Sequence, residues 1–254
     1  MLSKIKFLVK TVRNILFTPF VLVDYWHFKS KDSKSRFSYS WRTFYPQIFD
    51  KTKLTGFDRH YVYHTAWAAR KVKEINPERH TDIASSLYFP GIVSAFVPVD
   101  FYDYRPAPLH LSNLRTEHAD LTNLHFADNS LPSLSCLHTI EHIGLGRYGD
   151  PIDPGGDQKA CSELSRVLAP GGSLLFVTPV GNTGMIQFNA HRIYTYEQVV
   201  ELFPTLTLKE FSFVPEHGNE GVKENAKPED LKNETYACGL FVFTKPAMLI
   251  LNHV

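Results

Sequence analysis

The histidines best placed to do chemistry fall in two short segments of the chain. His142 directly follows Glu141, and His191 directly precedes Arg192. Because histidine changes protonation near neutral pH, either imidazole can act as a general base toward a hydroxyl proton. Each can instead form a hydrogen bond that holds a loop. The sequence therefore gives His142 and His191 as two candidate catalytic bases.

His138, Glu141 and His142 also fit the H-x-x-E-H spacing of certain zinc peptidases. Zinc ligation at that spacing needs both histidines on one face of a sustained helix. The residues before His138 have a strand-like pattern, and Gly144 and Gly146 interrupt a helix after them. We therefore predict no metal site here, and His138 is interpreted as a core residue or one that pins a loop.

Gly144, Gly146 and Gly149 match the G-x-G-x-x-G string of dinucleotide-binding folds. That string holds pyrophosphate only where a helix begins at its glycines. Here Asp150-Pro151 and Asp153-Pro154 follow and block a helix. The segment is therefore predicted to be a loop and not a nucleotide site.

The elements that must position these residues alternate between strand and helix patterns from residue 80 onward. Strands are predicted at 80–84, 97–103, 134–138, 173–179, 206–214 and 236–244, and helices at 61–75, 88–96, 157–168 and 196–203. This alternation predicts a doubly wound, mostly parallel α/β sheet. The carboxyl ends of such strands form the site, and these ends carry Asp82, Asp103, Asp120, His142 and His191.

Composition narrows the class of protein. The chain has 254 residues, of which 43% are apolar and 21% charged, with a formal net charge of +1. These values are typical of a globular protein and exclude disordered, collagen-like and coiled-coil classes. Cys136, Cys161 and Cys238 have neither metal-ligand nor disulfide-framework spacing. We therefore expect reduced thiols and a cytoplasmic location.

Positive charge is concentrated in the N-terminal part of the chain. Residues 1–79 contain 16 Lys and Arg against 6 Asp and Glu, whereas residues 80–254 contain 11 against 20. The difference predicts a basic, aromatic-rich N-terminal helical extension over 1–79, a second domain over 80–254, and an anionic partner. The basic and aromatic residues form no recognised stripe, so we do not expect nucleic acid as that partner.

Residues 1–26 combine four basic side chains with the apolar run 15–23, which Pro19 interrupts. A helix that crosses a bilayer needs about 20 apolar residues, so this run is too short. We predict that the segment lies on the anionic inner face of a membrane. A helix packed on the protein's own surface is the equal alternative.

One family resemblance accounts for most of these features. Glu163-Leu-Ser-Arg-Val-Leu-Ala-Pro-Gly-Gly-Ser-Leu-Leu-Phe-Val-Thr-Pro179 resembles the helix, Pro-Gly-Gly turn and fifth strand of class I S-adenosylmethionine-dependent methyltransferases. Ala119-Asp120-Leu121, followed by Leu131-Pro132, resembles the adenine-side acidic turn of that family. The segment 137–143 resembles the one after its fourth strand. The resemblance implies a Rossmann-like sheet.

A narrower resemblance covers residues 80–200, about half of the chain. This region is similar to a domain-of-unknown-function group within the methyltransferase superfamily. The shared parts are the string from Glu141-His142 through Arg147-Tyr-Gly-Asp-Pro-Ile-Asp153 and the element His191-Arg192-Ile-Tyr194.

The resemblance implies S-adenosylmethionine as cofactor, with binding residues at the strand ends: Asp82, Ala84, Ser85, Asp103, Asp120, Leu121 and His138. Asp103 would hold the ribose hydroxyls, and Asp120 would accept a hydrogen bond from the adenine amino group. Asp100 is the alternative to Asp103, since one step of strand register would exchange them. Each acid can instead cap a following helix.

The chain departs from that family at the first turn. Where the family has an acid followed by alternating glycines, this chain reads Asp82-Ile-Ala84-Ser-Ser86-Leu-Tyr88. Glycine permits positive φ and close backbone approach. We therefore predict weaker cofactor binding, with the ring of Tyr88 near the path of the cofactor.

Two functions of different class follow from the resemblance. The favoured one is O-methylation of a saccharide or another small polyhydroxyl acceptor, including one attached to a membrane lipid. Arg147, Arg192 and Tyr194 are the predicted acceptor-binding residues. The alternative is a catalytically inactive, methyltransferase-like binding or scaffold protein, which the missing glycines favour.

Overall fold

The computed structural model describes residues 19–247. The chain divides into two units, residues 1–57 and residues 58–254. Most of the predicted membrane-surface segment 1–26 lies outside the described residues. Among the described helices, none is long and apolar enough to cross a membrane.

The N-terminal unit is rich in exposed aromatic rings. Residues 19–31 form helix α1, and Ser40 caps the short 3-10 turn Trp41–Thr43. Tyr25 packs against Trp41 with 5.1 Å between ring centroids. Trp26 and Trp41 nevertheless keep 54% and 58% of their surface exposed. The rings of this unit therefore contact one another without forming a buried core.

Within residues 58–247, the described part of the second unit, the chain forms nine strands and four α-helices. The strands are β1 (His80–Ile83), β2 (Val99–Asp103), β3 (Leu114–His118), β4 (Leu131–Leu137), β5 (Leu168–Val180), β6 (Met185–Gln187), β7 (His191–Ile193), β8 (Thr207–Val214) and β9 (Ala237–Thr244). The helices are α2 (Arg59–Ile75), α3 (Tyr88–Val93), α4 (Gly156–Val167) and α5 (Tyr196–Glu201).

Seven of these strands form one sheet in the order β3-β2-β1-β4-β5-β9-β8. The first five pair in parallel, whereas β9 runs antiparallel to both β5 and β8. β6 and β7 form a separate hairpin. The order reverses between β1 and β4, and at such a reversal open α/β sheets bind ligands.

Both faces of this sheet are covered, because successive residues of a strand point to opposite sides. Along β5, Leu174 and Phe176 belong to the apolar cluster that includes residues of α4 and α5. Leu175 and Val177 belong to the cluster that includes residues of α2 and α3. The predicted doubly wound, mostly parallel sheet is confirmed.

The unit that contains the sheet begins at Asp58, whereas the charge asymmetry placed the boundary near residue 79. The difference arises because α2, although basic, buries Trp67, Ala68 and Val72 in the core of the sheet. The net charge of a segment reflects its exposed side chains, and it does not indicate what the apolar face of that segment packs against. The extension separate from the sheet is therefore shorter than predicted.

Two elements were not expected from the sequence. β3 reads Leu-Arg-Thr-Glu-His and lies at the edge of the sheet, so it lacks the apolar run that marks the central strands. The β6–β7 hairpin falls in a stretch for which no element was predicted. Both are short strands with little buried apolar surface, which weakens any sequence signal.

Candidate active site

A cavity of about 410 Å³ lies at the carboxyl ends of the strands beside the reversal of strand order. Its wall includes Ala84 and Ser85 after β1, Asp103 at the end of β2, Asp120 after β3 and His138 after β4. This volume is within the range of small-molecule sites, which is roughly 300–1,000 Å³. The parallel strands thus bring these five sequence-predicted residues to one cavity.

The turn after β1 keeps a glycine-like shape without a glycine. Ala84 has a φ of 58°, in the left-handed region that favours glycine. Its amide donates to the Tyr102 carbonyl at 2.7 Å, and its carbonyl accepts from Thr139 Oγ1 at 2.8 Å. Tyr88 lies outside the cavity wall with 78% of its surface exposed. Its ring therefore does not narrow the cavity.

Asp82 is buried beneath this turn and does not line the cavity. Its Oδ1 accepts hydrogen bonds from Ser85 Oγ, at 2.6 Å, and from Ser135 Oγ. Ser85 in turn accepts from the Leu137 amide at 3.1 Å. Burial raises the pKa of Asp82 to about 7. Asp82 therefore joins β1 to β4 and positions Ser85 in the first turn, and its place among the cofactor-binding residues stays a prediction.

Asp103 and Asp120 both line the cavity, and each is held by its own turn. Asp103 Oδ1 accepts from the Arg105 amide at 2.7 Å. Asp120 Oδ1 accepts from the Thr122 amide at 2.8 Å and from its hydroxyl at 2.7 Å. Among the described residues neither Oδ2 accepts a hydrogen bond, so both remain available to a ligand.

Asp100, the alternative to Asp103, is directed elsewhere. Its carboxylate pairs with Arg79 at 3.0 Å and is not part of the cavity wall. Leu121, in contrast, lines the cavity beside Asp120. The register of β2 thus presents Asp103 to the cavity.

The glycine-containing loop after β4 forms another part of the wall. Gly144 has a φ of 78°, and a Cβ there would lie 2.0 Å from the Asp153 carbonyl oxygen. The loop presents Tyr148 to the cavity. The guanidinium groups of Arg105 and Arg147 lie 4.9 and 5.1 Å from the centroid of that ring. The segment is a loop, as predicted.

Of the two candidate bases, His142 lines the cavity and His191 does not. His142 Nδ1 donates to the Ala190 carbonyl at 2.7 Å, which leaves Nε2 as the basic nitrogen. Burial lowers the pKa of His142, so its imidazole is neutral at pH 7. His191 stacks on Tyr236 at 5.0 Å, and its Nε2 is buried with no hydrogen-bond partner among the described residues.

Two of the predicted acceptor-binding residues have other partners. Arg192 is buried and donates to the carbonyls of Ile143, at 2.6 Å, and Pro154, at 3.3 Å. The Tyr194 hydroxyl donates to Asp157 Oδ2 at 2.9 Å. Neither lines the cavity. Arg192 instead holds the loop that precedes α4, and Tyr194 binds the first turn of α4. Arg147 is exposed and donates to the Ala190 carbonyl at 2.8 Å.

Sequence reasoning missed a group of histidines behind His138. His60 and His64 come from α2, with ring centroids 5.5 and 5.0 Å from that of His138. Their spacing of four residues puts them on one helix face, a signal that the sequence contains. Cys238 on β9 lies 3.3 Å from His138 Nε2. No local pattern points to Cys238, since strand pairing alone brings it there.

Solved structures that share this fold include methyltransferases. The N-methyltransferase NodS from Bradyrhizobium japonicum, in complex with S-adenosylhomocysteine, matches with a TM-score of 0.51 and 14% identity over 73% of this chain and 87% of that chain. The 1,6-didemethyltoxoflavin-N1-methyltransferase from Burkholderia thailandensis was solved with 1,6-didemethyltoxoflavin and S-adenosylhomocysteine bound. It matches with a TM-score of 0.52 and 12% identity, over 72% of this chain and 78% of that chain. The chain therefore has the class I methyltransferase fold that the resemblance implied.

Residues 112–236 match a family described as Caenorhabditis protein of unknown function, DUF268. This match agrees with the expected similarity to a domain-of-unknown-function group. No curated protein sequence matches the chain.

Proposed function

We propose that the protein is an S-adenosylmethionine-dependent methyltransferase that methylates a hydroxyl group of a saccharide or another small polyhydroxyl acceptor. One observation carries the proposal. A single cavity is lined by two carboxylates at adjacent strand ends, Asp103 and Asp120, and by the neutral imidazole of His142. The carboxylates suit the cofactor, and the imidazole suits the acceptor.

The residues of the cavity fit the cofactor. Asp103, at the end of β2, would accept hydrogen bonds from the ribose diol, and Asp120 would accept one from the adenine amino group. Leu121 would pack on the adenine ring. The turn at Ala84 and Ser85 would bring backbone amides toward the methionine end, because its left-handed conformation allows close approach.

When bound, the cofactor supplies a methyl group on a positively charged sulfur. A hydroxyl that accepts this methyl group must lose its proton, and His142 Nε2 would take that proton. The bond from His142 Nδ1 to the Ala190 carbonyl fixes the ring in the required tautomer. Glu141 Oε1 lies 3.8 Å from His142 Nε2 and stabilises the imidazolium that forms.

The wall around Tyr148 supports a sugar as acceptor. Tyr148 is 43% exposed, and the guanidinium groups of Arg105 and Arg147 lie close to its ring. An aromatic face suits the apolar face of a sugar ring, and planar donors suit its hydroxyl groups.

The alternative of an inactive binding or scaffold protein is favoured by the absent glycines at positions 84, 86 and 88. Two observations weigh against it. Ala84 takes the left-handed conformation that glycine would take, and Tyr88 stays outside the cavity. We therefore retain the enzyme as the proposed function.

The experiment is a transfer assay with S-adenosylmethionine labelled in its methyl group. The acceptors are free monosaccharides, glycolipids, small catechols and primary amines at equal concentration. We expect label in a base-stable product from a sugar acceptor. Transfer to amines with none to hydroxyl acceptors would contradict O-methylation, and no transfer to any acceptor despite cofactor binding would favour the scaffold protein.

The N-terminal unit supports a peripheral position on an anionic membrane. Trp26 and Phe28 on α1 are more than half exposed, and the Lys29 ammonium lies 5.3 Å from the Trp26 ring centroid. Exposed aromatic and basic side chains on one helix suit a membrane interface. The full chain should sediment with anionic vesicles and be released by salt, whereas a variant lacking residues 1–26 should not sediment. Equal sedimentation of both would contradict this location.

A further inference from the structure

A second cluster of side chains lies where α2, the end of β4 and β9 come together. His60, His138 and Cys238 each contribute one ligand-type atom, and these three atoms all lie within 4.8 Å of one another. His138 Nε2 and Cys238 Sγ lie 3.3 Å apart. Ligand atoms of a tetrahedral zinc ion are roughly 3.5 Å apart, given Zn–N and Zn–S bonds of about 2.0 and 2.3 Å. The cluster is therefore near the size of a zinc site.

The outer contacts of His138 are those of a metal ligand. Its Nδ1 donates to Glu141 Oε1 at 2.7 Å, and the Glu141 side chain is almost fully buried. This bond puts the lone pair of the ring on Nε2, the atom that faces the Cys238 sulfur. A carboxylate on the far nitrogen of a ligating histidine is the usual support of zinc sites, since it fixes the tautomer and orientation of the ring.

His64 gives an independent indication of a missing partner. It is completely buried, and its Nδ1 donates to the His60 carbonyl at 2.7 Å. Its Nε2 therefore carries a lone pair, and that buried atom has no hydrogen-bond partner among the described residues. Buried nitrogens are normally satisfied. The His64 ring lies 5.0 Å from the His138 ring, so His64 is a candidate for a fourth ligand.

We propose that His60, His138 and Cys238 bind a zinc-class transition-metal ion, with His64 completing a four-coordinate structural site. Imidazole and thiolate ligands select such ions over magnesium and calcium, which prefer oxygen. The three segments that supply the ligands are far apart in the chain, so the ion would tie α2 to the sheet.

This site differs from the zinc-peptidase pattern considered above. There, both histidines of H-x-x-E-H would be ligands on one helix. Here His138 alone of that pair is a ligand, Glu141 supports it, and His142 lines the cavity without being a ligand. The sequence predicts no metal site, because local spacing carries no information on how α2 and β9 pack against His138.

The test uses the full chain purified without a polyhistidine tag, stripped with a chelator and titrated with cobalt(II). We expect one ion per chain, a thiolate-to-cobalt charge-transfer band and the intense visible bands of four-coordinate cobalt. Cys238→Ser should abolish the charge-transfer band. Cys161→Ser is the matched control, because Cys161 is also buried but belongs to α4. Absence of the band in the native chain, or its persistence in Cys238→Ser, would overturn the proposal.

Two further variants keep the proposal testable if Cys238→Ser does not fold. His60→Gln changes a half-buried residue near the start of α2 and should weaken zinc binding more than any other variant that folds. Glu141→Gln should weaken it by about 10–100-fold, as expected for an outer-shell support. The exposed His217→Gln should bind as the native chain does. Unchanged zinc affinity in His60→Gln would overturn the proposal.

Discussion

The carboxylates and the histidines of the candidate site are positioned in opposite ways. Asp103 and Asp120 are half-buried, and each is fixed by a hydrogen bond from its own turn. His138 and His64 are buried, and besides a bond to a nearby residue each packs against the other from a distant part of the chain. The first group can be built from local sequence alone, whereas the second exists only after the sheet and α2 have assembled.

This difference extends to charge. Burial lowers the pKa of His64 to about 3 and of His138 to about 4, so both rings are neutral at pH 7. The carboxylates instead face the open cavity, where they can accept charge-assisted hydrogen bonds. Under the proposed function, the anionic side would bind the cofactor, and the neutral imidazole of His142 would take the proton of the acceptor.

The largest expected effect is a loss of turnover without a loss of cofactor affinity, when the candidate base His142 is replaced. His142→Ala should lower the rate of methyl transfer by roughly 10²–10⁴-fold, because it removes the proton acceptor. Its affinity for S-adenosylmethionine should not change. His191→Ala is the control, since His191 lies outside the cavity wall and should retain most of the activity. Full activity in His142→Ala would show that positioning alone drives the reaction.

The pH profile of activity tests the same assignment. Because burial lowers the pKa of His142, the neutral base should persist below the ordinary histidine value of 6.5. The value of kcat/KM should therefore rise with pH through a midpoint below 6.5 and then level off. A midpoint above 6.5 would contradict the assignment of His142, with its lowered pKa, as the base.

The sequence predicts the elements and residues that local patterns determine, and it does not predict the contacts that form only when distant segments pack together. Strand-like patterns identify β1, β2, β4 and β5, and with them the strand ends that carry Asp103 and His142. Local patterns cannot indicate that Arg192 is buried against carbonyl groups, because its partners belong to a loop before α4. The pairing of β9 with β5 brings Cys238 to His138, and no local pattern contains that information.

The glycine-containing loop between β4 and α4 provides a test of stability. Gly144→Ala should lower the free energy of unfolding by roughly 1–3 kcal/mol, since its Cβ would meet the Asp153 carbonyl at 2.0 Å. Gly149→Ala is the matched control in the same loop. Gly149 has a φ of 86°, but a Cβ added there would have no atom within 4 Å, so only the conformational cost remains. Equal losses in chemical denaturation would contradict the tight packing at Gly144.

A smaller effect is expected in the acid stability of the metal-free chain. His64 has a pKa of about 3 in the folded state against 6.5 as its ordinary value, so the unfolded chain binds more protons between those limits. Its contribution to stability is complete above pH 6.5 and is lost as the pH falls toward 3. His64→Leu should therefore reduce the pH dependence of the unfolding free energy from pH 6.5 to 4. An unchanged slope would contradict the burial of a neutral ring.

Binding of S-adenosylhomocysteine, measured by isothermal titration calorimetry, tests the central claim most directly because it needs no acceptor. We expect binding of one ligand per chain, weakened about ten- to a hundred-fold in both Asp103→Ala and Asp120→Ala by the loss of a charge-assisted hydrogen bond. Asp100→Ala should bind as the native chain does, since Asp100 pairs with Arg79 outside the cavity. No heat at millimolar ligand, or a loss in Asp100→Ala equal to that in Asp103→Ala, would contradict the account.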